Sequence, residues 1–431
     1  KKHKWPLTIC GTTGKNNKER IMEATSIFGE AFSVSMSVQS MDKKVLNNIN
    51  RSNIKLDHYT EINKHVRKQG RTTGGELIIG LPGETKTSFM KGVKQVIDSG
   101  VSRLIIYTLM MLHGTEFKDP KYRATFDMKG KYRIVPLNLG EYDGVKVFDY
   151  EEVCIANKNM SFKDYLDIRQ FALIIETVFN NQPFEVFFRY ALTEGMSRYD
   201  LLLLILNNIH NAPSKIIDIF NKFKQETKKE LWDTDEEMIK YYQKDKNYQK
   251  LVKGEAGGNL IYKYKSMNLV TAMPEWIKYL TNLLGDLIIK KNKKNLKLSP
   301  EQIKLKQQEI HILAEYHKNL TWKFLDSTSS DDSVTMESNY DFLAWLKGSE
   351  PQLLSMYRVK NPINYYFTYT ERQKKERYDQ FRRYGTDINA LSKIVVRIKP
   401  DNWLRSVATD LNFIKDNMDT KRSGTRYGMS H

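Results

Sequence analysis

A stretch of alternating residues near the start of the chain constrains the fold more than any other feature of the sequence. Over residues 32–40, apolar side chains alternate strictly with serine and glutamine, which predicts a strand with one apolar and one polar face. A second predicted strand, residues 72–79, places Leu77 and Ile79 on one face and Glu76 on the other. Each strand is followed by an amphipathic helical pattern, so the sequence predicts a βαβα unit with parallel strands.

The polar faces of these two strands predict an interior with room for a polar ligand. A closed α/β barrel fills its interior with branched apolar side chains. Here the interior would hold Ser35, Ser37, Gln39 and Glu76 instead. We therefore predict that Ser35 and Ser37 face a substrate. The alternative is an open sheet whose polar face lies in water.

Length, charge and cysteine content limit the class of protein. A chain of 431 residues exceeds a typical domain and predicts two. No apolar run approaches the roughly 18–20 residues that cross a membrane. The two cysteines, Cys10 and Cys154, imply no disulfide framework, so we expect a cytoplasmic location. The net charge of +18 comes mostly from dispersed lysines without interleaved aromatic residues, which argues against a nucleic-acid partner.

The pattern along the chain predicts four parts. Residue 1 is lysine and a predicted strand follows almost at once, so we interpret the chain as a piece of a longer protein. Helical periodicity dominates after residue 160, with a helix predicted over 336–347 and a strand over 364–369. We predict an α/β unit over 1–117, a mixed strand and loop connection over 118–160, a mainly helical domain over 161–410 and a mobile tail over 411–431.

The turn after the first predicted strand supplies two further candidate residues. Lys15 and Asn16 lie in this turn. Loops after the carboxyl ends of strands build the active sites of α/β barrels, so both residues are candidates for substrate contact. A solvated turn is an equally good interpretation.

Three segments of the sequence resemble the radical S-adenosylmethionine (SAM) superfamily. They are Ser37–Asp42, Val45–Arg51 and Gly75–Thr85, and they look like the fourth and fifth strands of its partial (β/α)6 barrel. The twelve-residue step from Gln39 to Arg51 and the Gly-Leu-Pro-Gly-Glu-Thr segment make the resemblance specific. It extends over about residues 6–115 and is greatest to the branch that often carries an upstream cobalamin-binding domain.

The resemblance implies a fold class and its order along the chain. The fold would be α/β: the third to sixth strands of a TIM-like partial barrel, followed by a mainly α-helical C-terminal domain. One departure from the family lies after the sixth strand, where His113 stands in place of the usual proline. An ordinary aldolase-like barrel is a weaker alternative, because no Schiff-base lysine or phosphate loop is evident on these strands.

The chemistry that the resemblance implies is radical chemistry on SAM. Radical SAM enzymes use a 4Fe-4S cluster to cleave SAM to a 5′-deoxyadenosyl radical, and cobalamin-dependent members transfer methyl groups. Three cysteines spaced Cys-x3-Cys-x2-Cys hold the cluster. Cys10 and Cys154 lie 144 residues apart, so we expect the cluster cysteines upstream of this chain. The alternative is a degenerate barrel that acts as a binding or scaffold protein.

The resemblance also implies partners, which the sequence itself does not identify. It implies a small-molecule or biosynthetic-intermediate substrate, and an electron donor such as flavodoxin or ferredoxin. No motif on these strands defines the substrate further.

The groups that the resemblance implies for SAM binding lie within the chain. Arg51 stands where the family places an arginine for the methionine carboxylate, a planar group that suits a guanidinium. A surface arginine at a helix end is the alternative. Gln39 and Glu76 are expected at the ribose hydroxyls, with a structural ion pair as the alternative for Glu76. The other expected contacts with the adenosine are Gly80, Pro82, Ile105 and Tyr107.

Overall fold

The computed structural model has mixed α/β structure with a helical C-terminal region. It describes residues 9–12, 18–28, 32–68, 72–294, 298–321, 333–348, 350–397 and 403–410. Lys15, Asn16 and the predicted tail over 411–431 lie outside these residues. The chain forms two compact units, one of residues 1–176 with 220–264 and one of residues 177–219 with 265–431. The boundaries predicted at 117, 160 and 410 stay predictions.

The first unit contains a four-stranded parallel sheet whose strands follow chain order. The predicted parallel pairing of the two polar-faced strands is therefore confirmed. Closure of this sheet into part of a barrel stays a prediction. The elements are β1 (Ile9–Thr12), α1 (Lys18–Phe28), β2 (Phe32–Gln39), α2 (Lys43–Asn48), α3 (Leu56–Lys68), β3 (Thr73–Ile79), α4 (Lys86–Asp98) and β4 (Arg103–Thr108).

Close packing of helices determines which face of the sheet is apolar. Leu77 and Ile79 on β3 are buried, whereas Glu76, whose side chain lies on the opposite face of the strand, is half-buried. At Gly75 a Cβ atom would lie 2.7 Å from Val96 of α4 and 2.8 Å from the Tyr59 hydroxyl of α3. The helices therefore cover the Gly75 face of the strand. The Glu76 face is left for polar side chains.

A long hairpin follows the parallel sheet. The elements are α5 (Pro120–Phe126), β5 (Lys129–Tyr142) and β6 (Val145–Ala156), and the two strands pair antiparallel. Asp143 and Gly144 form the turn, with φ values of 50° and 78° that suit a two-residue hairpin connection. The sequence predicted only short strand-like pieces in this region. The residues of the two strands alternate only weakly, so periodicity alone does not reveal the long hairpin.

Helices dominate the middle of the chain. Ser161 caps the first of them with a capping box that includes Asp164. Among the described residues, no helix is both long and apolar enough to span a membrane. The helices are α6 (Phe162–Ile174), α7 (Glu185–Thr193), α8 (Arg198–Asn207), α9 (Ser214–Lys229), α10 (Asp235–Tyr242), α11 (Asp245–Val252), α12 (Leu260–Thr271), α13 (Met273–Lys294) and α14 (Pro300–Thr321).

The second unit contains a three-stranded antiparallel sheet that corrects one prediction. The predicted helix over 336–347 is wrong in its first half: Met336, Ser338 and Tyr340 are buried in alternation, and this segment is a strand. The predicted strand over 364–369 is confirmed over 364–368 and begins earlier. The elements are β7 (Val334–Tyr340), α15 (Phe342–Lys347), β8 (Arg358–Thr368), α16 (Glu371–Tyr384), α17 (Ile388–Arg397) and β9 (Ser406–Ala408), in the sheet order β7-β8-β9.

The packing at Gly75 predicts a stability difference between two glycine substitutions. Gly75→Ala should lower the free energy of unfolding by about 1–3 kcal/mol, because the new methyl group overlaps two buried side chains. Gly92→Ala is the matched control, since its Cβ would lie an ordinary 3.5 Å from Met41 and would favour helix α4. Urea denaturation of the two variants measures this. Equal stability of both would show that the α3 and α4 packing is looser than described.

Candidate functional site

Polar side chains from adjacent strands share one face of the parallel sheet. In the register, Ser37 lies opposite Glu76 and Glu76 lies opposite Ile105. The Ser37 hydroxyl donates a short hydrogen bond to Glu76 Oε2. Ser35, two positions before Ser37, lies opposite Gly74. Ser37 and Glu76, one predicted to face the substrate and the other the ribose, are thus neighbours on one face, whereas the register shift places Gln39 opposite Leu77.

Tyr107 extends this face at the carboxyl end of β4. It lies opposite Ile78 in the register and is 47% exposed. Partial burial, with a smaller contribution from the Glu76 carboxylate, raises the pKa of its hydroxyl. Ile105, two residues earlier, is half-buried on the same face. Ile105 and Tyr107 together give this face an apolar and an aromatic surface, the aromatic one nearer the carboxyl end of β4.

Gln39 ends β2 in an unusual conformation. Its φ of 60° lies in the left-handed region, and the register with β3 shifts between Ser37 and Gln39. Such a backbone costs about 1–2 kcal/mol for a residue other than glycine. Its side-chain Oε1 is buried and accepts no hydrogen bond from the residues that the structure describes. A strained backbone and an unmatched buried acceptor coincide here, which is typical of a ligand-binding position.

The position of Arg51 follows from how helix α2 begins and ends. Asp42 caps the start, and its carboxylate accepts hydrogen bonds from the backbone of Lys44 and Val45. At the other end Asn50 adopts a φ of 52° and the Arg51 N–H donates to Leu46 O at 2.9 Å, which is a Schellman motif. Arg51 therefore directly follows a defined helix end, with its side chain exposed.

The turn from Gly80 to Gly83 is packed closely from two sides. Both glycines have positive φ, 93° and 85°. A Cβ at Gly80 would lie 3.0 Å from Cys154 O, and one at Gly83 would lie 2.5 Å from Asn48 Nδ2. The same Asn48 amide donates to Pro82 O at 2.9 Å. Helix α2, which precedes Arg51, is thereby tied to the turn that the resemblance places against adenosine.

Glu84 ends this turn as a buried carboxyl group. It is 1% exposed, and Ser40 Oγ donates to its Oε1 at 3.0 Å. Burial, with a smaller contribution from Asp42, raises the pKa of Glu84 to about 8. At neutral pH the group is therefore mostly protonated. The sequence placed Glu84 in the recognised segment without a role, because its burial depends on β2.

Arg103 lies two residues before Ile105 on the same face of β4, and the sequence alone did not mark it as a site residue. It hydrogen bonds with Tyr262, whose pKa burial raises, and the Glu176 charge contributes to that shift. The alternation of β4 was the available signal, because Arg103, Ile105 and Tyr107 are two residues apart. A long-range partner such as Tyr262 leaves no local signal.

The described residues do not offer a ligand set for an iron–sulfur cluster. No three His, Cys, Asp or Glu side chains in the part of the chain that the structure describes gather in a way that could hold a metal. Cys154 is buried, and burial raises the pKa of its thiol to about 12, so it remains protonated. The described residues of this chain therefore do not provide the ligands that such a cluster needs.

Comparison with known proteins gives partial similarities, and no protein-family model matches the chain. The chain is 32% identical over 120 residues to the cobalamin-dependent radical SAM methyltransferase TokK of Streptomyces tokunonensis, covering 27% of this chain and 18% of TokK. It is 29% identical over 138 residues to 2-(S-pantetheinyl)-carbapenam-3-carboxylate methyltransferase of Streptantibioticus cattleyicolor, covering 31% and 20%. A third relative, an uncharacterized protein of Methanocaldococcus jannaschii, is 30% identical over 105 residues, covering 24% and 30%.

These similarities support a protein family rather than a complete activity. The matches cover 18% and 20% of the lengths of the first two relatives, so the chain spans about a fifth of each. One relative is named as a radical SAM methyltransferase and the other as a methyltransferase. The partial similarity therefore supports the radical SAM family for this chain.

The buried Glu84 predicts a pH dependence of stability. The folded-state pKa of about 8 lies above the ordinary value of 4.5, so the folded chain keeps a proton that the unfolded chain loses. This contribution is complete below pH 4.5 and is lost as the pH rises to about 8. The slope should approach about 1.4 kcal/mol per pH unit within that window.

Glu84→Gln isolates this contribution, because the amide cannot titrate. The unfolding free energy of the wild type relative to Glu84→Gln should fall between pH 5 and pH 8 in urea titrations. A difference that is constant over this range would mean that Glu84 is ionised in the folded chain.

Proposed function

We propose that this chain is the SAM-binding part of a radical SAM enzyme and that the enzyme transfers methyl groups with cobalamin. The parallel sheet of the first unit would then be the later part of a partial (β/α)6 barrel. The observation that carries the proposal is the buried, unmatched Oε1 of Gln39, which lies two residues after Ser37 of the Ser37–Glu76 pair. The partial similarity to a cobalamin-dependent radical SAM methyltransferase supports it.

Each residue of the polar face has a role in this proposal. Gln39 Oε1 accepts a hydrogen bond from a ribose hydroxyl, which relieves the cost of an unmatched buried acceptor. The Glu76 carboxylate accepts a second, with its orientation held by the Ser37 hydroxyl. Ile105 and Tyr107 contact the adenine ring. Backbone groups of the Gly80–Pro82 turn complete the adenosine contacts.

Arg51 binds the other end of SAM in this proposal. Its guanidinium pairs with the methionine carboxylate through two parallel hydrogen bonds. Ser35, Lys15 and Asn16 are proposed to face the methyl acceptor. Bound SAM supplies either a methyl group or a 5′-deoxyadenosyl group. The residues of this chain orient it and exclude water from the adenosine.

The redox groups of the proposed enzyme lie outside the described residues. We propose that the cysteines for the 4Fe-4S cluster and the cobalamin-binding domain belong to sequence upstream of this chain. A reductant protein such as flavodoxin or ferredoxin would act on that part. The substrate that accepts the methyl group would be a small molecule or biosynthetic intermediate.

Turnover by the complete protein tests the proposed function. The complete protein, reconstituted with iron and sulfide under anaerobic conditions and supplied with cobalamin and a reductant, should convert SAM to 5′-deoxyadenosine or S-adenosylhomocysteine. Residues 1–431 alone should yield neither product. Liquid chromatography of the reaction mixture measures both products, and the same protein without reductant is the control.

The outcome also separates the enzyme from the scaffold alternative. SAM binding without either product would favour a binding protein that has lost the redox chemistry. Absence of both binding and product would contradict the proposed function.

Arg51 provides a test within this chain. Arg51→Ala in the complete protein should lose a charge-assisted pairing worth about 1.5–3 kcal/mol, or roughly tenfold to over a hundredfold in SAM affinity. Arg51→Lys should recover little of this, since an ammonium group lacks the planar geometry. Isothermal titration with SAM measures the affinity.

Lys44→Ala is the matched control, because it removes the same charge from an exposed position on helix α2, the helix that precedes Arg51. It should leave the SAM affinity unchanged. Unaltered affinity in Arg51→Ala would remove Arg51 from the site.

A further inference from the structure

Asn157 connects the hairpin to the Gly80–Pro82 turn through a side-chain carboxamide whose hydrogen-bonding positions are all occupied. It lies just after β6 and is 7% exposed. Its Nδ2 donates to Gly80 O at 3.2 Å and to Leu81 O at 3.1 Å. Its Oδ1 accepts from the backbone N–H groups of Asn159, at 2.9 Å, and Met160, at 3.0 Å. Both donor and both acceptor positions of the carboxamide are therefore occupied.

These four partners determine the orientation of the amide group. Exchanging the nitrogen and oxygen of Asn157 would place its N–H groups against two backbone N–H groups and its oxygen against two carbonyls. An aspartate of the same shape would likewise put a carboxylate oxygen against Gly80 O and Leu81 O. The position requires a carboxamide rather than a generic polar side chain.

The end of β6 is hydrogen bonded to the chain segment that follows β4. Cys154 N donates to Leu109 O at 2.9 Å, and Met111 N donates to Glu152 O at 2.8 Å. The chain after β4 and the end of β6 therefore run side by side. Because Gly80 has no side chain, its backbone approaches Cys154 closely. Asn157 follows directly after this part of β6 and hydrogen bonds to the turn.

The other side of β6 is held by buried charge. The Glu152 carboxylate, 4% exposed, pairs with Arg123 at 2.9 Å and with Lys118 at 2.5 Å. A Cβ at Gly130 would lie 1.9 Å from Glu152 Oε1, so the neighbouring strand leaves space for this carboxylate. A buried charge held by two cations has little freedom to move without losing a partner. The backbone from which Asn157 projects is thus fixed.

We propose that Asn157 is a positioning residue for SAM, and that residues outside the parallel sheet thereby form part of the cofactor site. This inference rests on the proposed function. Asn157 holds the Gly80 and Leu81 carbonyls from the hairpin side, while Asn48 holds the Pro82 carbonyl from α2. The turn is then rigid before SAM binds, so that binding SAM does not have to order it.

Three variants of the complete protein test the proposal. Asn157→Ala removes the carboxamide and Asn157→Asp keeps its shape without the two donors. Asn247→Ala is the matched control, because Asn247 is 9% exposed in the same unit and donates to Tyr241 O at 3.0 Å, on helices away from the turn. SAM affinity by titration, melting temperature and hydrogen exchange of peptides spanning 79–85 are measured for each.

Both Asn157 variants should bind SAM about tenfold more weakly, the equivalent of roughly one lost hydrogen bond. Their amides over 80–84 should exchange faster than in the wild type. Asn247→Ala should lower the melting temperature without either effect. A purely structural role would make the Asn157 variants behave like this control.

Two results would overturn the proposal, and they differ from failure of the proposed function. Wild-type SAM affinity in both Asn157 variants would exclude a positioning role while leaving SAM binding established. Unchanged hydrogen exchange over 80–84 would show that Asn157 does not fix the turn, even if the wild type did not bind SAM. Absence of SAM binding by the wild type would contradict the proposed function, and the hydrogen exchange over 80–84 would then still show whether Asn157 fixes the turn.

Discussion

The contact of Tyr59 and Val96 with Gly75 is the constraint on which the candidate site depends. Two helices can approach β3 closely only because this position has no side chain. Their approach makes one face of the sheet apolar, and strand geometry then sends Glu76 to the other face. The parallel register aligns Ser37 with Glu76, so the polar residues of separate strands meet. A shift of one residue in either strand would turn its polar side chains into the helices.

Backbone hydrogen bonding explains the shape of the turn between β3 and α4. A buried turn must supply partners for its carbonyl groups. The carboxamides of Asn48 and Asn157 supply them for Gly80, Leu81 and Pro82. These two side chains come from opposite directions along the chain, one from the helix before the turn and one from the hairpin after it. The conformation of the turn therefore depends on chain segments both before and after it.

The same turn shows how a buried carboxyl group can be tolerated next to a polar site. Glu84 has a hydrogen bond from Ser40 but no compensating cation among the groups that determine its pKa, and burial raises that pKa. Glu152, in contrast, pairs with Arg123 and Lys118. One carboxyl is accommodated by protonation and the other by paired charge. Glu84 links the turn after β3 to the end of β2, and Glu152 links β6 to α5.

The sequence by itself determined β2 and β3, the strand within β8 and the polar face with Glu76, because the patterns that mark strands are local. The helical patterns after β2 and β3 likewise predicted the parallel pairing of these two strands. The sequence could not determine the conformation of Gln39, which depends on the register shift against β3. It predicted a helix where β7 lies, because the pairing of β7 with β8 joins residues that are distant in the chain. It did not single out Asn157, whose two carbonyl acceptors in the turn lie 76 and 77 residues away. Tertiary structure decided these features because their hydrogen-bond partners leave no periodic trace in the sequence.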